Sequence, residues 1–265
     1  MRVVIFLLAL VAFAFAAAIG VSGPGARLEL WDYSTGLKIM RTAAQPIPVL
    51  ETVSLSPVFT AAGLALLGAV VAGFLRRWGL AVFAAVATVA AVGAGMAPLK
   101  MRELAQKNPF IHDITTDFEQ PPEISAAAGL PRKNPPVYVG AEMVRDSEMT
   151  VAEAQRTAFP DIRPLTVTQD LETTAAAAHA TLDDMKLETI AEGPASDQSG
   201  AGWRIEAVAT SFWYGFKDDF IVRLTSAGED GTRIDVRSKS RVGGSDLGAN
   251  AARVRDFLLR MDAAL

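Results

Sequence analysis

Three long stretches without a charged residue constrain this chain more than any other feature of its sequence. They cover residues 3–21, 57–75 and 79–99, which are 19, 19 and 21 residues long. An α-helix needs roughly 20 apolar residues to cross the hydrocarbon core of a bilayer. The stretches exclude a purely soluble globular protein and an intrinsically disordered chain, and they predict three transmembrane helices.

The N-terminal stretch allows two interpretations. Residues 1–21 are either a retained transmembrane helix or signal anchor, which we favour, or a cleaved signal peptide. The second interpretation uses Arg2 as a positive start and Ala14-Phe15-Ala16 as a cleavage-like site. Residues 22–56 then form an extracytoplasmic loop. Residues 57–99 form a transmembrane hairpin whose turn is Arg76-Arg77-Trp78.

The distribution of basic residues predicts an orientation. Arg2 and the Arg76-Arg77 pair favour a cytoplasmic N-terminus and a cytoplasmic hairpin turn. The C-terminal domain is then periplasmic, in a bacterial inner membrane. A simple count opposes this orientation, because six basic residues between positions 27 and 107 would lie outside.

The remainder of the chain predicts an α+β fold. Residues 100–148 are proline-rich and are expected to form a connector, and residues 149–265 a soluble domain. A capping box at Thr150 and Glu153 begins a short helix, and an apolar stripe from Leu171 to Met185 predicts a second. Strands are expected at 186–191, 203–214, 219–225 and 232–241, followed by a long amphipathic C-terminal helix. The expected fold is an antiparallel β-sheet packed with helices.

Charge and cysteine content restrict the partners. Residues 100–265 hold 19 Lys and Arg against 26 Asp and Glu, so nucleic acid is not expected as a partner. The absence of cysteine excludes disulfides and thiolate chemistry. We predict no cofactor; the expected partners are the lipid bilayer and an envelope protein or a small anionic ligand.

The strand 233–241 carries the first group of candidate residues. Its charged side chains alternate with Ile234, Val236, Ser238 and Ser240, and a hairpin would place Arg223 opposite Asp235 and Asp219 opposite Lys239. One interpretation is a solvated, salt-bridged sheet face. The other is an anion or partner site near the turn at 243–245, with the last helix facing the arginines. The candidates for this site are Arg223, Asp235, Arg237, Arg241, Asp246, Asn250 and Arg253.

A second polar cluster combines imidazole and carboxylate groups, the types used as metal ligands and in acid–base catalysis. Its members are His112, Asp113, Asp117, Asp218 and Asp219. The segment does not supply enough ligands to predict a metal site. The alternative is an ordered turn in which Asp and Thr side chains bond nearby backbone.

Several of these runs together resemble a known family. Four motifs are similar to those of the domain of unknown function 1499 family. They are the runs 216–223, 233–241 and 246–250 with Arg253, and His112-Asp-Ile-Thr-Thr-Asp117 with Pro121-Pro122. The resemblance covers roughly residues 108–263 and implies a bacterial-envelope setting, without an agreed activity. Many members begin this domain with a cysteine-containing motif, which this chain lacks.

The expected function is that of a membrane-anchored envelope protein whose C-terminal domain is a binding or interaction module. A small-ligand or lipid-binding domain is the alternative. A hydrolase is the third class and would require His112 to approach the arginines or Asp218 and Asp219. A non-enzymatic role is favoured, because no catalytic motif is present in the sequence.

Overall fold

The computed structural model describes residues 1–50, 53–195 and 202–265. The chain divides into two compact units. Unit 1 comprises Met1–Glu103 and Phe212–Gly215, and unit 2 comprises Leu104–Ser211 and Phe216–Leu265. The α+β class is confirmed, with three apolar helices at the N-terminus, an antiparallel sheet and a long C-terminal helix.

Unit 1 is mainly helical. Its helices are α1 (Arg2–Arg27), α2 (Tyr33–Ala44), α3 (Pro57–Phe74) and α4 (Trp78–Lys107), with a short hairpin of β1 (Ile47–Leu50) and β2 (Val53–Leu55). The helices α1, α3 and α4 are long and apolar enough to cross a membrane, as the sequence predicts. The segment 22–56 is more ordered than a simple loop, because α1 continues to Arg27 and Asp32 caps α2 through the amides of Ser34 and Thr35. Residues 51 and 52 of that segment lie outside the described residues.

Small residues allow the helices of unit 1 to approach closely. A Cβ atom built on Gly68 would lie 3.0 Å from Cγ2 of Ile5, so α3 packs directly on α1. A Cβ atom on Gly95 would lie 2.6 Å from Cζ of Phe59, so glycine leaves room for that ring between α4 and α3. Ala65 of α3 and Ala91 of α4 are fully buried.

Unit 2 contains the sheet and three further helices. In chain order its elements are β3 (Asp113–Thr115), α5 (Val151–Ala158), β4 (Leu165–Val167), α6 (Leu171–Asp184), β5 (Glu188–Pro194), β6 (Gly202–Thr210), β7 (Lys217–Ser226), β8 (Thr232–Ser240) and α7 (Ala249–Ala264). The predicted capping box is confirmed at Thr150 and Glu153, which exchange side-chain and backbone hydrogen bonds at the start of α5. Unit 2 begins at Leu104, so most of the expected connector 100–148 belongs to it.

The sheet is antiparallel, with strand order β3-β8-β7-β6-β5, and β4 also pairs with β8. The predicted hairpin register is confirmed, with Arg223 opposite Asp235 and Asp219 opposite Lys239. The sequence analysis does not predict β3 and β4, because a strand of three residues is too short to show a periodic pattern. Their pairing makes β8 a central strand.

One strand is shorter than predicted. β6 ends at Thr210 rather than at 214, because the chain turns at 211–216. Ser211 donates its backbone N–H to the carbonyl of Phe216 at 2.9 Å, and Gly215 adopts a φ of +70°, in the region that favours glycine.

The apolar face of the sheet carries the core of unit 2. The side chains of Ile205, Val222 and Ile234 point to this face and are fully buried. The helices α6 and α7 cover it, and the rings of Phe220 and Phe257 meet edge to face with centroids 5.3 Å apart. The hydrophobic effect therefore accounts for one face of the sheet, and the other face requires a different explanation.

Candidate functional site

The sheet face opposite α6 and α7 is charged and buried. We call it the charged face and define it as Glu206, Asp219, Arg223, Asp235, Arg237 and Lys239, with Arg241 directly after β8. Every one of these residues is at most 7% exposed. The expectation of a salt-bridged face is correct, but the expectation that water covers it is wrong, because residues of the segment 113–139 bond to it.

Asp113 lies at the centre of the charged face. Its carboxylate accepts two hydrogen bonds from Arg237, both at 2.9 Å, and one from Lys239 at 3.0 Å. All three side chains are at most 2% exposed. One carboxylate cannot accept every hydrogen bond that two cations offer. The other N–H groups of Arg237 and Lys239 therefore donate to backbone carbonyls. Arg237 donates to those of Pro122 and Pro136, and Lys239 donates to that of Val137 at 2.6 Å.

The protonation of this group follows from its partners. Burial alone would raise the pKa of the Asp113 carboxyl, but the charges and hydrogen bonds of Arg237 and Lys239 outweigh burial and lower it. Burial also lowers the pKa of the Lys239 ammonium, against the opposing charge of Asp113. Asp113 is therefore ionised at neutral pH and holds both cations.

A second ion pair group lies beside the first. Asp219 bonds to Arg241 at 2.8 Å from Nε and lies 3.0 Å from Nη1 of Arg132. Arg132 belongs to the segment that covers the sheet, and its neighbour Asn134 donates through Nδ2 to the carbonyl oxygens of Ser240 and Gly243. These bonds attach the covering segment to the end of β8.

A third group uses Asp117 and Asp235. The guanidinium of Arg223 lies 3.1 Å from both carboxylates, and Arg233 bonds to Asp117 at 3.0 Å and to Asp235 at 2.9 Å. Arg233 is partly exposed, so this group reaches the rim of the charged face.

Glu206 completes the charged face. Its carboxylate accepts hydrogen bonds from the backbone N–H groups of Ser125, Ala126 and Ala127 and from the hydroxyl of Ser125 at 2.6 Å. Burial alone would raise the pKa of Glu206, yet these donors lower it. The carboxylate thus satisfies the N-terminus of the short 3-10 helix Ala126–Gly129, which lies over the sheet.

The predicted site residues of the last helix lie on the opposite face of β8. Asn250 accepts from the hydroxyl of Ser238 at 2.7 Å and donates to that of Ser240 at 3.0 Å. Arg253 bonds to Asn250 at 2.6 Å and to Asp218 at 3.0 Å. The expected contact of this stripe with Arg237 and Arg241 is wrong, because alternate residues of a strand point to opposite faces.

Asp246 organises the start of α7. Its carboxylate accepts from the backbone N–H groups of Gly248 and Asn250, both at 2.8 Å. Burial raises the pKa of Asp246 to about 6, despite these two bonds. The nearby charge of Asp218 adds to the increase.

The predicted second cluster is divided among these groups. Asp218 and Asp219 are adjacent in a strand and therefore face opposite sides of the sheet. Asp113 and Asp117 bind separate arginines. His112 contributes its backbone carbonyl to Ser240 and Asn250, and its Nε2 atom has no hydrogen-bond partner in the described ranges. Burial and the charge of Lys239 lower the pKa of its imidazole.

The residues of the predicted second cluster are also not arranged as metal ligands. Among residues 1–50, 53–195 and 202–265, no group of three or more His, Asp and Glu side chains is arranged to hold a metal ion. The second histidine, His179, pairs with Glu192 at 2.6 Å on β5. The ion groups of the charged face share one chemical property. Each buried carboxylate accepts hydrogen bonds from donors of the same chain, so its charge is balanced within the protein.

Four residues of this arrangement are absent from the predicted candidates: Arg132, Glu206, Arg233 and Lys239. Arg132 lies in the proline-rich segment, whose path over the sheet has no periodic signal. Glu206 lies in β6, whose alternate residues face the apolar core. The alternation of residues 204–208 is the pattern that could have placed Glu206 on the opposite face of the sheet. Lys239 was grouped with the charged strand face but not as a partner of Asp113, because that pairing requires β3.

An open groove lies on another part of unit 2. It has a volume of about 610 Å³ and is bordered by the end of α6, residues 185–187 before β5, the end of β6 and one side of α7. Its charged side chains are Asp184, Lys186, Arg253, Asp256 and Arg260. Ala249 and Ala252 are small, so the exposed side of α7 leaves space there.

Comparison with known proteins gives a family match over the C-terminal part of the chain. A family model described as protein of unknown function (DUF1499) matches residues 113–261. The match begins at Asp113 and ends at Met261, so it contains the charged face and its covering segment. No curated protein and no solved structure matches the chain.

We expect Asp113→Asn to destabilise unit 2 by about 3–5 kcal/mol, because it leaves Arg237 and Lys239 buried without a counter-charge. The measurement is urea unfolding of the full chain in detergent, followed by hydrogen exchange of the β8 amides. Since the folded pKa of Asp113 is lowered, its stabilisation is present above the unfolded pKa and is lost as the pH falls through the folded one.

The matched control is Asp161→Asn. Asp161 pairs with Arg255 and is 54% exposed, so its loss should change stability by about 1 kcal/mol or less. Equal effects of the two substitutions would contradict the central role of Asp113.

A second prediction concerns Asp246. Its pKa is 3.8 when unfolded and about 6 when folded, so the folded state binds more protons between these values. Stability should therefore fall as the pH rises from about 4 to about 6, and Asp246→Asn should remove this slope while keeping one acceptor for the backbone. Unfolding of both proteins at several pH values measures the difference. Parallel pH profiles would show that Asp246 does not titrate in this range.

Proposed function

The chain belongs to the DUF1499 family of proteins of unknown function, and on that premise we propose that it is a membrane-anchored, non-catalytic binding module. The observation that carries the proposal is the open groove of unit 2. The arginines of the charged face are occupied by carboxylates and carbonyls of their own chain. A partner would have to displace these buried bonds, whereas the groove needs no rearrangement.

The groove carries three basic side chains, Lys186, Arg253 and Arg260, against two acidic ones, Asp184 and Asp256, and this basic excess favours an acidic segment of a partner protein. Lys186 is exposed and takes part in no ion pair among the described residues. Arg253 and Arg260 stand seven residues apart on α7, which places them two turns apart on one side of the helix. Arg260 bonds to Asp256 at 3.0 Å and also to Asp184, so its charge is balanced within the chain and the attraction for an acidic partner comes mainly from Lys186.

The openness of the groove to solvent supports a protein partner over a small ligand. Small molecules usually bind in clefts that enclose most of their surface. The space between the sheet and α7 is filled by side chains, among them Phe220 and Phe257, so the apolar core does not favour a lipid cavity. The arrangement of His112 does not favour a hydrolase either, because its Nε2 atom bonds to no described nucleophile or carboxylate.

We expect a photocrosslinker placed at Ala252 to capture a discrete partner in cells, because this exposed position lies in the groove. The control position is Glu229, which is exposed in the turn between β7 and β8. Lys186→Glu should reduce the Ala252 adduct several-fold if the partner segment is acidic. Absence of an adduct, or the same adducts from both positions, would contradict the proposal.

The proposed setting is a bacterial inner membrane, with a cytoplasmic N-terminus and a periplasmic C-terminus. The support is the position of Arg2 before α1 and of Arg76-Arg77 between α3 and α4, since basic residues are retained in the cytoplasm. We expect alkaline phosphatase fused after Leu265 to be active and a green fluorescent protein fused there to be dark. The reverse pattern would show the opposite orientation.

A further inference from the structure

The turn that joins β6 and β7 belongs to unit 1. It consists of Phe212, Trp213, Tyr214 and Gly215, three consecutive aromatic residues and a glycine. The hydroxyl groups of Tyr214 and Ser22 lie 3.1 Å apart, and the Tyr214 side chain is buried. These contacts attach the turn to the C-terminal part of α1.

Two further contacts define the position of the turn on α1. A Cβ atom on Gly23 would lie 1.6 Å from Cδ1 of Trp213, so the indole packs directly on the helix backbone, where only glycine leaves room. Arg27, the last residue of α1, donates to the carbonyl oxygen of Phe212 and lies 6.0 Å from the centroid of its ring. The turn therefore lies along residues 22–27 of α1.

The depth of these residues in a bilayer follows from the length of the apolar run. Residues 3–21 rise about 28 Å as a helix, close to the hydrocarbon thickness of about 30 Å. Residues 22–27 then lie at the boundary between hydrocarbon and headgroups. Three consecutive crossings also place the end of α1, the start of α3 and the end of the apolar part of α4 on one side of the membrane.

The side chain of Phe212 is the unusual part of the turn. It is 91% exposed, although Tyr214, two residues later, is buried. Leu28 and Leu30, directly after α1, are also exposed, at 69% and 70%. Trp and Tyr are enriched at this depth, and Trp, Phe and Leu form the apolar face of segments that lie in the membrane interface.

We propose that the turn Phe212–Gly215 is an interfacial membrane anchor, with Trp213 and Tyr214 seated on α1 and the ring of Phe212 inserted into the lipid. The occupant of this surface is the glycerol and upper acyl region of the bilayer. The continuity of the turn with a membrane-spanning helix carries the assignment. It is independent of the groove and of any partner protein.

The test measures the immersion depth of a nitroxide spin label. The chain has no cysteine, so Phe212→Cys introduces a unique labelling position without removing a buried contact. The full chain is reconstituted in vesicles of phosphatidylcholine and phosphatidylglycerol. Collision rates are then measured with oxygen, which concentrates in lipid, and with a neutral nickel chelate, which concentrates in water.

Two control positions define the scale. Val11→Cys labels an exposed site in the middle of the apolar run of α1, and Glu229→Cys labels a charged, exposed turn position. We expect the oxygen-to-nickel collision ratio at 212 to exceed that at 229 several-fold and to approach that at 11. A ratio at 212 equal to that at 229 would overturn the proposal. Low collision rates with both reagents would overturn it as well, because they would indicate cover by a second copy of the protein.

Discussion

The carboxylate of Asp113, shared between Arg237 and Lys239, is the interaction on which the rest of unit 2 depends. Removing a carboxylate and two cations from water is expensive, and it is tolerated only where the geometry is good and the remaining donors are satisfied. Here the excess positive charge is directed to backbone carbonyls at positions 122, 136 and 137. The ion group therefore determines where the covering segment must lie.

This arrangement gives the sheet two different faces. On one, the hydrophobic effect brings α6 and α7 against side chains such as Phe220 and Val236. On the other, ion pairs and hydrogen bonds hold a segment that has little regular secondary structure. β3 supplies Asp113 and pairs with β8 opposite Lys239. A strand of three residues is thus stabilised by its side-chain partner as well as by its backbone bonds.

These internal bonds restrict which parts of the protein can bind a partner. Arginines two residues apart on a strand are attractive as an anion site, but their positive charge is already used within the chain. The same holds for Asn250 and Arg253, which join β8 to α7 through Ser238 and Asp218. Lys186 in the groove and the aromatic turn of unit 1 are the surfaces that we propose for an external partner and for lipid, respectively.

The sequence by itself determined the three apolar helices, the α+β class, the β7–β8 register and the capping of α5, because each depends on local length, periodicity or neighbouring residues. It also established the family, through motifs in the right order. Only the tertiary structure decided that β8 is a central strand and that the charged side chains of Asp235, Arg237 and Lys239 are buried. That outcome depends on contacts such as the one between Asp113 and Lys239, which are 126 residues apart. No local pattern specifies such a pair, since its free energy depends on burial and on partners that folding alone brings together.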